Sequence, residues 1–264
     1  MDDNHHSRSA DYDKGALHDV EQLVAKGDRV FYERQIEVLF EKPYFHWVTS
    51  RAVRELEARG AIQTSSRQGV YGSDIKTIRR TGYRYYKREE SRLVDVINEF
   101  SEPTITRAIG TRLEELTLQG FARNQFVLAS QNSRRYGDRV WSKTNHDLDF
   151  IFERDGRAIG IECKNTLAYI DHDELRTKLS LCHHLGIAPV FVVRTMPKSW
   201  IQEVRLAGGF TLVLSWWLFP KLLAPLATKI QHSLGYQVGT PGSLDLETGT
   251  MQRFLNWWQS RKAE

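Results

Sequence analysis

The run D-L-D-F-I-F-E-R-D-G-R-A-I-G-I-E-C-K, Asp147 to Lys164, constrains the fold of this chain more than any other stretch. Two alternating apolar segments flank Asp155-Gly156, a pair that favours positive φ at both positions and so closes a two-residue type I′ hairpin. With those two residues as the turn, Arg154 faces Arg157 and the register follows by counting outward. Asp149 then lies across from Glu162, and Asp147 across from Lys164. Directly opposed side chains on one face have Cβ atoms roughly 5 Å apart. Strand alternation sends Leu148, Phe150, Phe152, Ile161 and Cys163 to one face and Asp147, Asp149, Glu162 and Lys164 to the other. The expectation is one core face and one face that gathers three carboxylates and an ammonium.

Adjacent carboxylates repel, and they tolerate each other when a divalent cation lies between them. All-oxygen ligands suit Mg2+. A neighbouring lysine can hold an attacking water or stabilise negative charge in a transition state. These groups together suit a metal-dependent phosphodiesterase. The plainer reading is a salt-bridge ladder on an exposed sheet face. The site reading is favoured because the Glu-x-Lys interrupts an otherwise apolar strand, follows a tight hairpin and has an aspartate in register.

This arrangement resembles the core motif of the PD-(D/E)xK nuclease superfamily, the fold of many restriction endonucleases and Holliday-junction resolvases. The resemblance covers about residues 105–214. It makes Asp149, Glu162 and Lys164 the catalytic constellation, with Asp149 and Glu162 as metal ligands aided by the Cys163 carbonyl. No proline precedes the aspartate here, and Asp147-Leu148-Asp149 offers two candidates, of which register favours Asp149. The superfamily often carries a glutamate on the preceding helix, in a stretch like Gly110 to Leu116. Glu114 shares a helical face with Leu118 and Phe121 and is the candidate inward acid, whereas Glu115 lies with Thr111, Arg112 and Gln119. The resemblance implies a restriction-endonuclease-like mixed α/β sheet flanked by helices. It also implies hydrolysis with Mg2+ (Mn2+ substituting) that leaves a 5′-phosphate.

The surrounding elements agree with an α/β layer. A helix over Thr104 to Gly120 precedes a strand read as Phe121 to Ser130. After the hairpin come a helix (Asp173 to Leu185), a strand (Pro189 to Arg194), a helix (Lys198 to Ala207) and a strand (Phe210 to Leu214). One or two helices complete residues 221–264, with Trp257 and Trp258 as packing anchors.

The character of the chain changes near Ser101-Glu102-Pro103. Before that point come a short helix (Glu33 to Phe40), a helical pattern from His46 closed by Gly60, and two strand-like runs around a Gly-rich turn. Helix, turn, helix, hairpin is similar to a winged helix-turn-helix. The expected organisation is a flexible tail over 1–16, a winged-helix domain over 17–101 and a nuclease domain over 102–264.

Charge follows that division. Of 264 residues, 37 are Lys or Arg and 33 Asp or Glu, a net +4, but Arg67 to Arg92 holds eight basic residues against three acids, with four tyrosines interleaved. Such residues neutralise phosphates and pack on sugars. Arg67, Lys76, Arg79, Arg80 and Arg84 are therefore candidate nucleic-acid contacts. Arg134, Arg135, Arg139 and Lys143 form a second basic loop just before the hairpin. Duplex DNA is the expected partner, and two cuts in a duplex favour a homodimer.

Two isolated cysteines suit a reducing cytoplasm, and the polar N-terminus lacks the apolar stretch of a signal peptide. The apolar run Phe210 to Ala227 contains Lys221 and two prolines, so it reads as a strand and a helix rather than a membrane span. Cys182-His183-His184 are adjacent on a helix and project about 100° apart, too divergent to share one zinc. No Walker A, GxSxG or HExxH motif occurs. The leading expectation is a Mg2+-dependent DNA endonuclease of restriction or defence type. A junction or repair nuclease of the same fold and a non-catalytic winged-helix DNA-binding regulator are the alternatives.

Overall fold

The computed structural model describes residues 3–241, 246 and 248–261. The chain divides into two compact units, residues 1–106 with 225–236, and residues 107–224 with 237–264.

The first unit runs α1 (Asp3–Ala25), β1 (Val30–Tyr32), α2 (Glu33–Leu39), α3 (His46–Ala58), β2 (Ile62–Gln68), β3 (Asp74–Arg80) and α4 (Lys87–Phe100). Its sheet has the order β1-β3-β2, all antiparallel. Ala16, Val20 and Val24 of α1 meet Ile36, Val48, Ala52, Val53 and Leu56 in one buried cluster with Phe31, Ile62 and Ile78. The expected tail over 1–16 is thus helical from Asp3, and Tyr12 and Ala16 belong to this core; Met1 and Asp2 lie outside the described residues. Polar composition at the start of the chain hid an amphipathic helix whose apolar positions begin only at Tyr12. Gly60, at φ +71°, ends α3 in the left-handed conformation.

The second unit contains α5 (Pro103–Arg123, from Arg107 onward), β4 (Val127–Ser133) and a small hairpin of β5 (Arg135–Tyr136) and β6 (Arg139–Val140). There follow β7 (Leu148–Arg154), β8 (Arg157–Lys164), α6 (His172–Leu185), β9 (Ala188–Val193), α7 (Lys198–Leu206), β10 (Phe210–Val213) and β11 (Trp217–Leu218). A 3-10 turn (Lys221–Leu223) leads to α8 (Ala224–Leu234), and β12 (Val238–Gly239) and α9 (Thr248–Ser260) complete the chain. The main sheet is mixed and five-stranded, in the order β10-β9-β8-β7-β4, and helices flank it. The pairs β4–β7 and β7–β8 are antiparallel, while β8–β9 and β9–β10 are parallel. The strand expected over Phe121 to Ser130 begins later, because α5 extends to Arg123. Residues 225–236, expected to lie with the second domain, cluster with the first: Gln35 Nε2 donates to the Leu234 carbonyl at 3.1 Å.

The run from Phe210 resolves into β10, β11, the 3-10 turn and α8. Among the described residues no helix is long and apolar enough to cross a membrane.

Both faces of the five-stranded sheet are covered. On one, Phe150, Phe152, Ile159, Ile161, Val190 and Val192 pack with Leu113, Leu116 and Phe121 of α5 and with Phe254 and Trp258 of α9. On the other, Ile151 packs with Leu181, Cys182 and Leu185 of α6, and Phe191 and Val193 pack with Leu175 and with Val204 of α7. The face that carries Asp149 and Glu162 is thus covered by α6, and the charges collect at one end of it.

Asp155 and Gly156 have φ of +54° and +71°, and Arg154 pairs with Arg157, as the type I′ register requires. Leu148 departs from the expected alternation. It lies beyond the last β7–β8 pair, Phe150 with Ile161, and its side chain covers Gly160 in the α6 cluster. A Cβ on Gly160 would stand 2.6 Å from Leu148 Cδ1 and 2.9 Å from Cys182 Sγ. Gly160→Ala is therefore expected to lower stability by about 1–3 kcal/mol, the usual range for overpacking a filled core. Urea melts of the two proteins measure it, and an unchanged midpoint would show that the Leu148 side chain can yield.

Candidate active site

The ladder between β7 and β8 stops one step before the charged residues. Counting on from Phe150–Ile161 sets Asp149 across from Glu162. There the Cys163 N–H donates to Asp149 Oδ2 at 2.6 Å, so the carboxylate replaces a strand carbonyl and is held beside Glu162. Glu162 is 2% exposed. Its Oε1 is 3.1 Å from Lys164 Nζ, and its Oε2 is 2.5 Å from Lys178 Nζ. Lys164 also reaches Glu174 Oε1 at 2.9 Å. Lys178, itself buried, donates to the Asp147 carbonyl.

These groups line an open cleft of about 390 Å³ together with Asn145 and His146. Lys164 does not take Asp147 as its partner; Glu162 and Glu174 hold it instead. Asp147 reaches the cleft through its lining position and its carbonyl.

Desolvation dominates the electrostatics. Burial raises the pKa of Glu162, the Asp149 charge raises it further, and the two lysines only partly offset this, so it is pushed up to about 7. Asp149 is also raised by burial, against the lowering effects of the Cys163 N–H and Lys178. Burial raises Glu114 too, and the nearby Glu162 adds to it. Glu114 is half-buried on α5 and does not line the cleft, whereas Glu115 is exposed and ion-paired with Arg112 at 3.1 Å. For Lys164 burial acts to lower the pKa, but Glu162 and Glu174 overcome it and carry the ammonium above its ordinary value. Cys163 is raised well above the thiol range by burial, and its Sγ lies 3.5 Å from Thr117 Oγ1 on the α5 side of the sheet.

The end of β8 is anchored from behind. Asn165 is buried and donates to the carbonyls of Ile109 and Leu218 at 2.8 and 2.6 Å, while its Oδ1 accepts from Leu218 N. Arg194 donates to the carbonyls of Thr166 and Leu167. These bonds fix the strand terminus that carries Lys164.

Four cleft residues were not anticipated from the sequence: Asn145 and His146 just before β7, and Glu174 and Lys178. The latter two sit one turn apart on α6, whose start is capped by Asp171 accepting from Asp173 N and Glu174 N. A signal was present: Lys178 falls between Leu175 and Leu181 on the buried face of that helix, where a lysine needs a partner.

The nucleic-acid candidates separate by how their charges are engaged. Arg79 is 8% exposed, donates to Ser65 Oγ and Gln63 Oε1, and stacks 3.8 Å over the Tyr86 ring. It is a hairpin strut. Arg67 is held by Glu90, Lys76 by Glu33 and Arg80 by Asp28. Arg139 donates to the His184 carbonyl at 3.4 Å, and Lys143 sits 5.5 Å over Trp141. Arg84, Arg134 and Arg135 are exposed, as are Lys87, Arg88 and Arg92 of α4.

No family model, curated protein or solved structure matches this chain.

Proposed function

We propose that the chain is a divalent-cation-dependent nuclease acting on DNA, with a restriction-endonuclease-like core and a winged-helix-like first unit. The observation that carries this reading is the convergence of Asp149, Glu162 and Lys164 in one cleft at the end of the β7–β8 hairpin. The unit-one order of helix, strand, two helices and two strands, with the sheet order β1-β3-β2, suits a winged helix.

The donor set fits a hard cation. Among the described residues no group of three or more His, Cys, Asp or Glu side chains is arranged to hold a metal ion. A cation would thus rest on Asp149 and Glu162, with the Cys163 carbonyl and non-protein oxygens completing its shell. Burial raises both carboxylates, and the only partners at the Glu162 oxygens among the described residues are the ammonium groups of Lys164 and Lys178, so a cation would add to a site that already draws positive charge. When bound, such an ion supplies charge stabilisation for a phosphoryl transition state and lowers the pKa of a water. Lys164, held protonated by Glu162 and Glu174, serves as a donor to water or to a phosphate oxygen rather than as a base. Asn165 keeps that lysine in place.

Supercoiled plasmid incubated with the protein and Mg2+ is expected to be nicked or linearised, and EDTA to prevent it. A second reading, a DNA-binding protein without chemistry, draws on the ammonium at each Glu162 oxygen. Tight duplex binding with no cutting would establish that reading instead.

The exposed cations Arg84, Lys87 and Arg88 are better placed to meet phosphates than the engaged wing residues. Changing all three to Gln is expected to lower the slope of log K against log salt by roughly 2–3, about one per lost contact. Arg79→Ala is expected to lower Tm and leave that slope nearly unchanged. A full slope in the triple variant would remove this surface from the model.

A further inference from the structure

Resting on the nuclease reading above, we propose that Lys178 is a tethered cation on Glu162 that limits the cleft to a single divalent ion, with Lys164 as the ammonium that gives way when the ion binds. The two lysines hold opposite oxygens of one carboxylate, but they are not equivalent. Lys178 has a side chain 5% exposed, is fixed at 2.5 Å from Oε2, and is tied to the Asp147 carbonyl. It comes from the buried face of α6 between Leu175 and Leu181, so withdrawing it would unpack the helix. Lys164 is 29% exposed and already has a second carboxylate, Glu174, at 2.9 Å. It can release Oε1 without losing its charge partner.

Charge balance agrees. The side chains lining the cleft include four acids, Asp147, Asp149, Glu162 and Glu174, and two lysines, which leaves −2. One divalent ion neutralises that; a second would leave a net charge of +2, and the loss of Lys178 would cut this excess to +1. A second ion would have to share these carboxylates, and Glu162 Oε2 already carries the Lys178 ammonium. Lys178 is on this account a positioning residue: it orients Glu162 and does not touch substrate.

The test counts ions without nucleic acid and without turnover. Mn2+ is titrated into the full-length protein, and free Mn2+ is read by electron paramagnetic resonance. The wild type and Lys178→Arg are expected to bind one equivalent. Lys178→Met is expected to bind a second equivalent. One equivalent in a folded Lys178→Met, at any affinity, overturns the proposal. Should that variant fail to fold, Lys164→Ala decides. It lacks the ammonium that must give way, so one equivalent held several-fold more tightly supports the proposal, and a second equivalent or looser binding overturns it. Two equivalents in a wild type that nicks plasmid sinks this inference alone. No bound Mn2+ and no nicking sinks the nuclease reading with it.

Discussion

Lys164→Ala and Asp149→Asn are each expected to reduce Mg2+-dependent plasmid nicking by a factor on the order of 10²–10³ or more and to leave gel-shift affinity for the duplex near wild type. The separation follows from where the residues sit. The Lys164 ammonium pairs with Glu162 and Glu174, and the exposed arginines and lysines lie elsewhere on the chain. Deleting Lys164 leaves Glu162 paired with Lys178, so the buried carboxylate keeps a partner and the fold is retained. Asp149→Asn preserves an amide oxygen to accept from Cys163 N and removes only the charge. Kinetics at saturating Mg2+, run beside binding curves and melting curves, measure the effect. Equal loss of binding and cleavage would make these residues structural, and undiminished cleavage by either variant would place the chemistry elsewhere.

The parts of this site legible in the sequence were those governed by local rules. Asp155-Gly156 dictated the hairpin turn, the turn dictated register, and register set Asp149 beside Glu162. Helical phase on α5 marked Glu115 as the solvated acid, and it is exposed and paired with Arg112, whereas Glu114 does not line the cleft. What escaped depended on contacts between distant segments. Lys178 reaches Glu162 only because α6 crosses back over the sheet between β8 and β9, and no local pattern gives that angle. Leu148 left its expected face because Gly160 has no side chain to exclude it. Arg79 read as a phosphate contact within a basic run, but Ser65, Gln63 and Tyr86 across the hairpin and beyond it enclose its guanidinium. Charge count located the basic region, and only burial could say which charges face solvent. The helix from Asp3 was masked by polar composition, since an amphipathic helix needs few apolar residues to dock one face.

Cation binding is expected to strengthen as pH rises through about 7, and the metal-free protein to lose stability over the same interval. The pKa values of Glu162, Asp149 and Glu114 are all raised by burial, Glu162 to about 7. A carboxyl whose pKa is higher in the folded state than in the unfolded chain favours folding below its unfolded pKa. That contribution disappears as pH climbs through the folded value, because the unfolded chain then ionises more readily. For Glu162 the window runs from the ordinary carboxylate range up to about 7. Taken alone, the shift corresponds to on the order of 3 kcal/mol. A divalent ion needs the ionised carboxylates, so it competes with protons at low pH and meets a prepared anionic site above neutrality. Melting curves in EDTA should therefore show Tm falling between about pH 5 and pH 8, and the increment produced by Mn2+ should grow over the same range. Asp149→Asn removes the charge that lifts Glu162, so both trends should flatten and shift to lower pH in that variant. An Mn2+ increment of constant size across this range would mean that the ion is held by groups other than these buried acids.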